Sequence, residues 1–409
     1  MIYVFLLLFP LFNLTMGISF EDTMLALKEN NPEIRIIELE KDINLFNFLK
    51  NVNPVKVTLS KKKNFTFSNK EKVSKTYDTK MSFSGKLSSN YLFNCLSSNL
   101  EYKIRKSNIL QKRRKIILEA VKSYMDLYNI MEEKNLIQRR YEKNEKSLHE
   151  SMIKHKFGRI PFSDLEICEA NLLLLKNEIF DLDNKLKIAK KKFTICFGYI
   201  PSSNLSLPQI DVVLERDFTE FKEKVKKNNS TLLRLGCDEN ASNISLLNNL
   251  ISPVEVSLNS DISNNLTKGN RNKVNTLSVT LSLSEKNVFD MLNSIKKKRI
   301  TFIQNKIEKD KLFIDLESLW NSFISENKSS NYLDKCIAAY SKLVSSCEIQ
   351  YSLGKIDLFK LFDAREKLYE KKKKLISSVT LKWEKYFTLL ERKNELDFNT
   401  FEKKVKKTS

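Results

Sequence analysis

The side chains that could do chemistry are few, and their spacing does not suit an enzyme. The sequence contains two histidines, His149 and His155, whose separation does not bring both to one face of a helix as metal ligands. Gly85 and Lys86 form a Gly-Lys pair, but position 80 is lysine and not the glycine that a phosphate-binding P-loop requires. No Ser/His/Asp or Cys/His arrangement stands out. We therefore expect no catalysis, no cofactor and no bound metal.

The cysteines do not form a recognisable site either. None of them stands in a CxxC pair, and several fall on apolar positions of segments that the sequence predicts to be helical. Such cysteines are typically small buried hydrophobic residues. We therefore predict neither zinc ligands nor a disulfide framework for Cys95, Cys168, Cys196, Cys237, Cys336 and Cys347.

The composition favours long solvated helices over a compact globule. The 409 residues include 7 glycines and 7 prolines, few for this length, while charged residues make up 30% and apolar residues 41%. The formal net charge of +21 raises nucleic acid or an anionic membrane as a partner. Lysine is spread along the whole chain without a focused basic face. We therefore favour a general compositional bias and expect no nucleic-acid partner.

The first residues have the pattern of a secretory signal peptide. Ile2 to Phe12 is apolar, and Thr15-Met16-Gly17 offers a plausible cleavage site. No Lys or Arg precedes the apolar stretch, which leaves a start further upstream open. The stretch is too short for a transmembrane helix, and no later segment has 18 uninterrupted apolar residues. We predict a signal peptide at 1–17 and no helical membrane span.

The chain contains the same unit twice. Three landmarks recur at separations of about 196 to 199 residues, which chance rarely produces. They are Pro54-Val55-Lys56-Val57-Thr58-Leu59 with Pro253-Val254-Glu255-Val256-Ser257-Leu258, Phe20 and Asn30-Asn31 with Phe218 and Asn228-Asn229, and Gly158-Arg159-Ile160 with Gly354-Lys355-Ile356. We predict a tandem duplication over 18–205 and 218–397, joined by a linker at 206–217 and followed by a basic tail at 398–409.

Each unit has the same order of predicted elements. A first helix precedes two strand-like segments, a long helix and a returning helix. The helices are predicted at about 31–52, 100–156 and 162–196 in the first unit and at 229–251, 288–352 and 358–397 in the second. The first returning helix has a heptad seam, typical of helices packed knobs-into-holes, which consists of Leu165, Cys168, Leu172, Leu175, Ile179, Leu182, Leu186, Ala189 and Phe193. The long helices repeat the seam in part, at Ile117, Val121, Tyr124, Tyr128 and Met131 and at Leu333, Ile337, Tyr340, Val344 and Cys347.

The strand-like segments alternate between apolar and polar residues. Tyr77, Thr79, Met81 and Phe83 interleave with polar residues in the first unit, and Leu277, Val279, Leu281 and Leu283 do so in the second. This period of two is typical of a barrel strand between lipid and water, and equally of a soluble hairpin with one wet face. Four strands cannot close a membrane barrel, so a barrel requires several chains, and three chains would supply twelve strands.

This order of elements resembles the TolC outer-membrane efflux protein family over about 18–397. The residues that carry the resemblance are Asn30-Asn31-Pro32-Glu33, the tip sequences around Gly158 and Gly354, and Cys196-Phe197-Gly198-Tyr199-Ile200-Pro201. Each is weak alone, whereas the ordered and duplicated set is specific. The resemblance implies a mainly α fold with β, in which a tandem-repeat α-helical barrel or coiled-coil tunnel is continued by a β-barrel that forms on trimerisation.

The same resemblance implies a function without catalysis. It implies a homotrimer in the outer membrane, with a large periplasmic portion, that is the exit duct of a tripartite efflux pump or a type I secretion system. The implied partners are outer-membrane lipid, a periplasmic adaptor (membrane fusion) protein and an inner-membrane transporter.

The resemblance also assigns roles to the two helical tips. The family's closed aperture carries aspartates after the second tip glycine. Asp363 matches one of them, Lys360 does not match the other, and Asp164 occupies the equivalent of that second position in the first half. We hypothesise that Lys360 and Asp363 tune pore selectivity, with a solvated outer position for Lys360 as the alternative. The adaptor-docking region corresponds to Gly158, Arg159, Ile160, Gly354, Lys355 and Ile356.

Two other functions remain open on the sequence alone. A secreted coiled-coil protein with a structural or adhesive role explains the heptads and the charge, but not why a hairpin recurs in both halves. A basic nucleic-acid-binding helical protein conflicts with the signal peptide.

Overall fold

The structure is a computed structural model and describes residues 19–52, 55–66, 74–85, 89–158, 160–201, 204–212, 214–251, 254–265, 270–281 and 285–402. The predicted signal peptide at 1–17, the lysine-rich end of the predicted basic tail and the tip residue Arg159 lie outside these ranges.

The secondary structure of the two halves has the same order. The first half contains α1 (Phe20–Asn30), α2 (Pro32–Val52), β1 (Val55–Thr66), β2 (Ser74–Gly85), α3 (Ser89–Lys156) and α4 (Phe162–Phe197). The second half contains α5 (Phe218–Asn228), α6 (Ser230–Ile251), β3 (Val254–Asn265), β4 (Asn270–Leu281), α7 (Glu285–Ser352) and α8 (Leu358–Arg392), followed by α9 (Asn399–Glu402). The long helices α3 and α7 both have 68 residues, which corresponds to about 100 Å each.

The helices begin earlier than the sequence predicted, because each first helix is preceded by another. Asn31 separates α1 from α2, and its Oδ1 accepts hydrogen bonds from the backbone N–H groups of Glu33 (2.9 Å) and Ile34 (3.3 Å). Asn229 does the same between α5 and α6, where its Oδ1 accepts from Thr231 (2.9 Å). An asparagine at such a position satisfies amides that have no partner within the helix. The repeated Asn-Asn landmark therefore marks a repeated helix cap.

An aromatic contact also recurs in both halves. In the first half, Phe20 of α1 packs against Tyr124 of α3, with ring centroids 5.0 Å apart. In the second half, Phe218 of α5 lies 6.2 Å from Trp320 of α7. Each short helix is thereby anchored to the long helix of its own half by a pair of rings, whose burial contributes more than their hydrophobic area alone.

The heptad seam of α4 is confirmed, and its two sets of positions differ in depth. Leu182 and Phe193 are buried, together with Cys168, Leu175 and Ala189, whereas the alternate seam residues such as Leu172 and Ile179 are only half-buried. On α3 the seam residues Ile117, Val121 and Tyr124 are fully buried. The described helices include none that is long and apolar enough to span a membrane.

The prediction for the cysteines is only partly right. Cys168 is buried, but Cys95, Cys196, Cys237 and Cys347 are half-buried and Cys336 is exposed. Cys336 precedes the seam residue Ile337 on α7, so the helix turns it away from the buried stripe. All six are free thiols, and no disulfide joins them.

The four strands form one antiparallel sheet in the order β1-β2-β3-β4, so β1 and β4 are its edges. The pairing joins the hairpins of the two halves, with Met81 of β2 opposite Ile262 of β3. Because residues two apart share a face, the register defines an apolar face and a polar face. The positions of the apolar face nearest the helices are Val55, Val57, Leu59, Met81, Phe83, Val254, Val256, Leu258, Leu277, Val279 and Leu281.

The chain folds into two compact units that cut across the two halves. One unit comprises Met1–Arg35, Arg113–Val225 and Asp315–Ser409, and the other comprises Ile36–Lys112 and Lys226–Ile314. The first unit contains the helical tips, and the second contains the sheet. The duplication is thus a division of the sequence, whereas each unit draws segments from both halves.

Candidate functional site

The first tip is the turn between α3 and α4. Gly158 has φ of 66°, in the left-handed region that favours glycine, and its N–H donates to the carbonyl of His155 over 2.8 Å. The Nδ1 atom of His155 lies 3.1 Å from the carbonyl oxygen of Ile160. His155 is therefore part of the turn, whereas His149 is an exposed helix residue.

The second tip, between α7 and α8, is closed more regularly. Gly354 has φ of 70°, and the N–H of Lys355 donates to the carbonyl of Gln350 over 2.9 Å. The side chain of Asp357 then caps α8 by accepting from the N–H of Lys360 over 2.8 Å. Both tip glycines are thus required by backbone geometry, and a side chain at either position would be strained.

The two tips share a small hydrophobic core. Cys168 of α4 and Leu358 and Leu361 of α8 are buried in one cluster. Residues of both long helices pack against this cluster, namely Leu148 on α3 and Cys347 and Tyr351 on α7, together with Phe362 on α8. The Nζ atom of Lys154 lies 4.3 Å from the ring centroid of Tyr351, a favourable cation–π contact. This packing fixes the two turns relative to each other.

Arg365 holds three of the four tip helices together, and sequence reasoning did not identify it. Its guanidinium, on α8, donates to Glu348 of α7 over 2.8 Å and to the hydroxyl of Ser147 on α3 over 3.0 Å. A planar guanidinium can serve two such partners at once because its donors diverge. Its position two residues after Asp363 has no local signal that separates it from the many solvated basic residues of the chain.

The predicted aperture residues lie on the helices that leave the tips. Lys360 and Asp363 are exposed on α8, and Asp164 is half-buried in the first turn of α4. Asp363 pairs with Lys367 one helical turn further on, over 2.8 Å, and not with Lys360 of its own chain. Lys360 and Asp363 are three residues apart on one helix and therefore neighbours on its surface.

The predicted docking residues are flanked by large exposed apolar side chains. Phe157 is 74% exposed, and Phe162, Leu353 and Phe359 are also exposed around the two turns. Gly158, Gly354 and Lys355 are exposed as well, while Ile160 and Ile356 are half-buried. An apolar cluster with neighbouring cations is typical of a protein-binding surface. The signal for these residues was present in the sequence, since they are apolar but fall outside the heptad seam.

The part of the chain that the structure describes contains no group of three or more His, Cys, Asp or Glu side chains that could hold a metal ion. What the tips offer is therefore shape, charge and apolar surface.

Comparisons with solved structures relate this arrangement to membrane channels. The chain matches a membrane protein from Pseudomonas aeruginosa with a TM-score of 0.77 and 12% identity, covering 92% of this chain and 90% of that one. It matches the CmeC outer membrane channel of Campylobacter jejuni with a TM-score of 0.69 and 14% identity, covering 94% and 88% of the two chains. The open state of the MtrE outer membrane channel of Neisseria gonorrhoeae matches with a TM-score of 0.71 and 15% identity, over 91% and 88%.

Comparisons of sequence give no corresponding result, since no family model matches the chain and no curated protein matches it significantly. At this level of identity the likeness is one of fold. It extends over nine-tenths of the chain and includes both repeated halves. The resemblance that the tip sequences and the duplication predicted is thereby confirmed: the chain has the fold of the TolC-family outer-membrane channels.

Proposed function

We propose that this protein is an outer-membrane exit duct with a large periplasmic helical portion. In this function three identical chains form one channel that passively conducts substrates delivered by an inner-membrane transporter. The system served is a tripartite efflux pump or a type I secretion system. The likeness to outer membrane channels of several bacteria supports the location and the role.

The open four-stranded sheet carries the proposal. Its edge strands β1 and β4 have no partner strand among the described strands of the chain. One face has apolar residues at successive alternate positions, such as Val55, Val57 and Leu59, opposite Phe83 and Met81 on β2. An open edge is unfavourable in lipid, and an apolar face is unfavourable in water. Joining β4 of one chain to β1 of the next in a ring of three removes both penalties and gives twelve strands.

The helices leave a second surface without a partner in the chain. On α4, Ile167, Leu174, Ile188 and Ile195 are exposed although they are apolar, and they recur at multiples of seven residues. We call these four residues the α4 stripe. A repeat of seven is typical of a helix that packs along another helix. A neighbouring chain would cover the α4 stripe and continue the helical wall around a common axis.

We further propose that the tips contact the adaptor and contain the aperture. The exposed apolar residues Phe157, Leu353 and Phe359 would bury surface against an adaptor, while Lys355 sets the charge of the contact. Arg159→Glu combined with Lys355→Glu should abolish efflux in cells while the purified protein still forms trimers. Loss of the trimer in this variant, or unimpaired efflux, would contradict the docking role.

Membrane fractionation with a count of subunits tests the proposal. We expect the full-length protein to remain in the outer-membrane fraction through washes with high salt and carbonate, and to cross-link to a species of three chains. A secreted coiled-coil protein of structural function would be released by the washes. Release together with a stoichiometry other than three would reject the duct.

A further inference from the structure

The register of the sheet brings a group of basic residues onto the apolar face. Lys61 and Lys63 of β1 lie opposite Thr79 and Tyr77 of β2. These pairs continue the alternate positions that begin with Val55 and Val57, because residues two apart share a face. Lys75 of β2 lies opposite Phe65 and belongs to the same face.

The second hairpin adds two more basic residues at the same level. Lys273 of β4 lies opposite Ile262 of β3, which in turn lies opposite Met81 of β2. Arg271 lies opposite Asn264, which pairs with Thr79. We call Lys61, Lys63, Lys75, Arg271 and Lys273 the basic band. It occupies the end of the sheet where the two hairpins turn, and the apolar positions occupy the end that joins the helices.

The basic band contains no compensating acid on its own face. The acidic residues of the four described strands are Asp78, Glu255 and Asp261. Asp78 lies opposite Lys62, Glu255 opposite Thr280, and Asp261 opposite Ser82, and all of these positions belong to the polar face. The apolar face is therefore uncharged at one end and purely cationic at the other.

We propose that the basic band binds the phosphate-bearing headgroups of anionic lipid in the leaflet that surrounds the hairpin ends. This inference rests on the proposed function, since it requires the apolar face to lie against the hydrocarbon of a membrane. From Val55 to Lys61 the strand rises about 20 Å, so an apolar end within the hydrocarbon places the band near the headgroups. Lysine and arginine at the margin of an apolar surface extend their charge toward the polar interface. Tyr77 shares this level, where tyrosine is common in membrane proteins.

The position of the band favours a lipid over a dissolved anion. An anion that travels through the duct would meet the polar face, which lines the lumen when the apolar face contacts lipid. The band is on the other side and directly continues an apolar surface. A headgroup attached to acyl chains fits both parts at once, through charge at the band and hydrocarbon at Val57 and Leu59.

The polar face supplies a matched control. Lys56 and Lys62 of β1 and Lys80 of β2 lie on that face, opposite Ser84, Asp78 and Ser60. The variant Lys61→Gln, Lys63→Gln, Lys75→Gln and the control Lys56→Gln, Lys62→Gln, Lys80→Gln remove the same charge from the same two strands. Only the face differs.

The experiment measures lipid selectivity of the full trimer in phosphatidylcholine vesicles by electron spin resonance. The probes are spin-labelled phosphatidic acid, whose headgroup is a phosphate monoester, and spin-labelled phosphatidylcholine. We expect the wild type to prefer phosphatidic acid, and the basic-band variant to lose about fivefold of that preference, the factor that one basic residue near an anionic surface contributes. The control should keep the preference, and inorganic phosphate at constant ionic strength should not displace the lipid.

Three results would overturn the inference. They are no preference in the wild type, an equal loss in the variant and the control, and displacement by inorganic phosphate, which would assign the band to soluble anions. If the triple variant does not insert, Arg271→Gln with Lys273→Gln provides the same test on β4. Conductance is recorded in parallel: pores without lipid selectivity reject only the lipid site, whereas a protein that neither inserts nor conducts rejects the duct and the lipid site together.

Discussion

Two apolar regions of the first compact unit differ in what covers them. Phe20 is fully buried, and its ring centroid lies 5.0 Å from that of Tyr124, 5.5 Å from Phe387 and 5.8 Å from Phe401. This aromatic hub joins α1, α3, α8 and α9. In the α4 stripe, by contrast, Leu174 is 65% and Ile195 is 78% exposed. The chain thus completes its own core at the hub and leaves the α4 stripe for another chain.

The strongest test of this comparison is to charge the α4 stripe. Leu174→Glu with Ile188→Glu should abolish the trimer, because two carboxylates would be buried without partners in the helical interface. The monomer should keep its helical circular dichroism. The control Lys176→Gln with Lys187→Gln makes the same change of net charge at exposed positions of α4 and should remain trimeric. A trimer that survives the glutamates would place the interface elsewhere.

The second test concerns the ion pair beside the hub. Lys393 and Glu215 are both almost fully buried, with 2.7 Å between Nζ and Oε1. Lys393→Met should lower the free energy of unfolding by about 3 kcal/mol, since it leaves a buried carboxylate with fewer partners. Adding Glu215→Leu should recover much of the loss. A single variant as stable as the wild type in chemical denaturation would show that the pair is not part of the core.

A smaller effect is expected from Glu384 on α8. Burial, followed by the nearby Asp126 carboxylate, raises the pKa of Glu384 to about 7, against the opposing charges of Lys122 and Lys385. The folded state therefore binds this proton more tightly than the unfolded state, and stability falls as the pH rises from about 4.5 through 7. Glu384→Gln should stabilise the protein by about 1 kcal/mol at pH 8, after allowance for partial exposure, and by nothing at pH 4.5.

Melting curves at the two pH values check this prediction. Asp126→Asn should give a weaker effect in the same direction, because it removes the neighbouring negative charge but leaves the burial of Glu384 unchanged. Equal stabilisation by Glu384→Gln at both pH values would contradict the raised pKa.

The smallest effect on stability is expected at the tip. Asp363 and Lys367 are about half exposed, and such pairs contribute little. Asp363→Asn should leave the melting temperature unchanged. If the aperture lies here, it should nevertheless reduce the preference of the pore for cations in planar bilayers, and Lys360→Asp should increase it. Unchanged selectivity in both variants would place the constriction at other residues.

Local patterns predicted those features that local chemistry determines. The two tip glycines, the α4 seam and the Asn-Asn landmarks follow from φ preference, helical period and capping, each of which acts within a few residues. The seam pattern could not show that Leu175 would be buried and Leu172 only half-buried, because depth depends on the neighbouring helices. Nor could it distinguish the apolar residues of the α4 stripe from those of a core.

Long-range contacts could not be predicted in the same way. Arg365 reaches Ser147 across 218 positions of the chain, and Arg114 reaches Asn394 across 280. Nothing in the residues around them specifies these partners, since basic residues are abundant everywhere. The helix α1 was missed for a related reason: only its contact with α3 distinguishes its short apolar pattern from the preceding stretch.

Single-channel conductance of the purified protein in a planar lipid bilayer, with a cross-linking count of its subunits, tests the central claim most directly. The account predicts long-lived pores of one conductance from a species of three chains. A soluble protein that produces no conductance steps, or pores from a species with another number of chains, would contradict it.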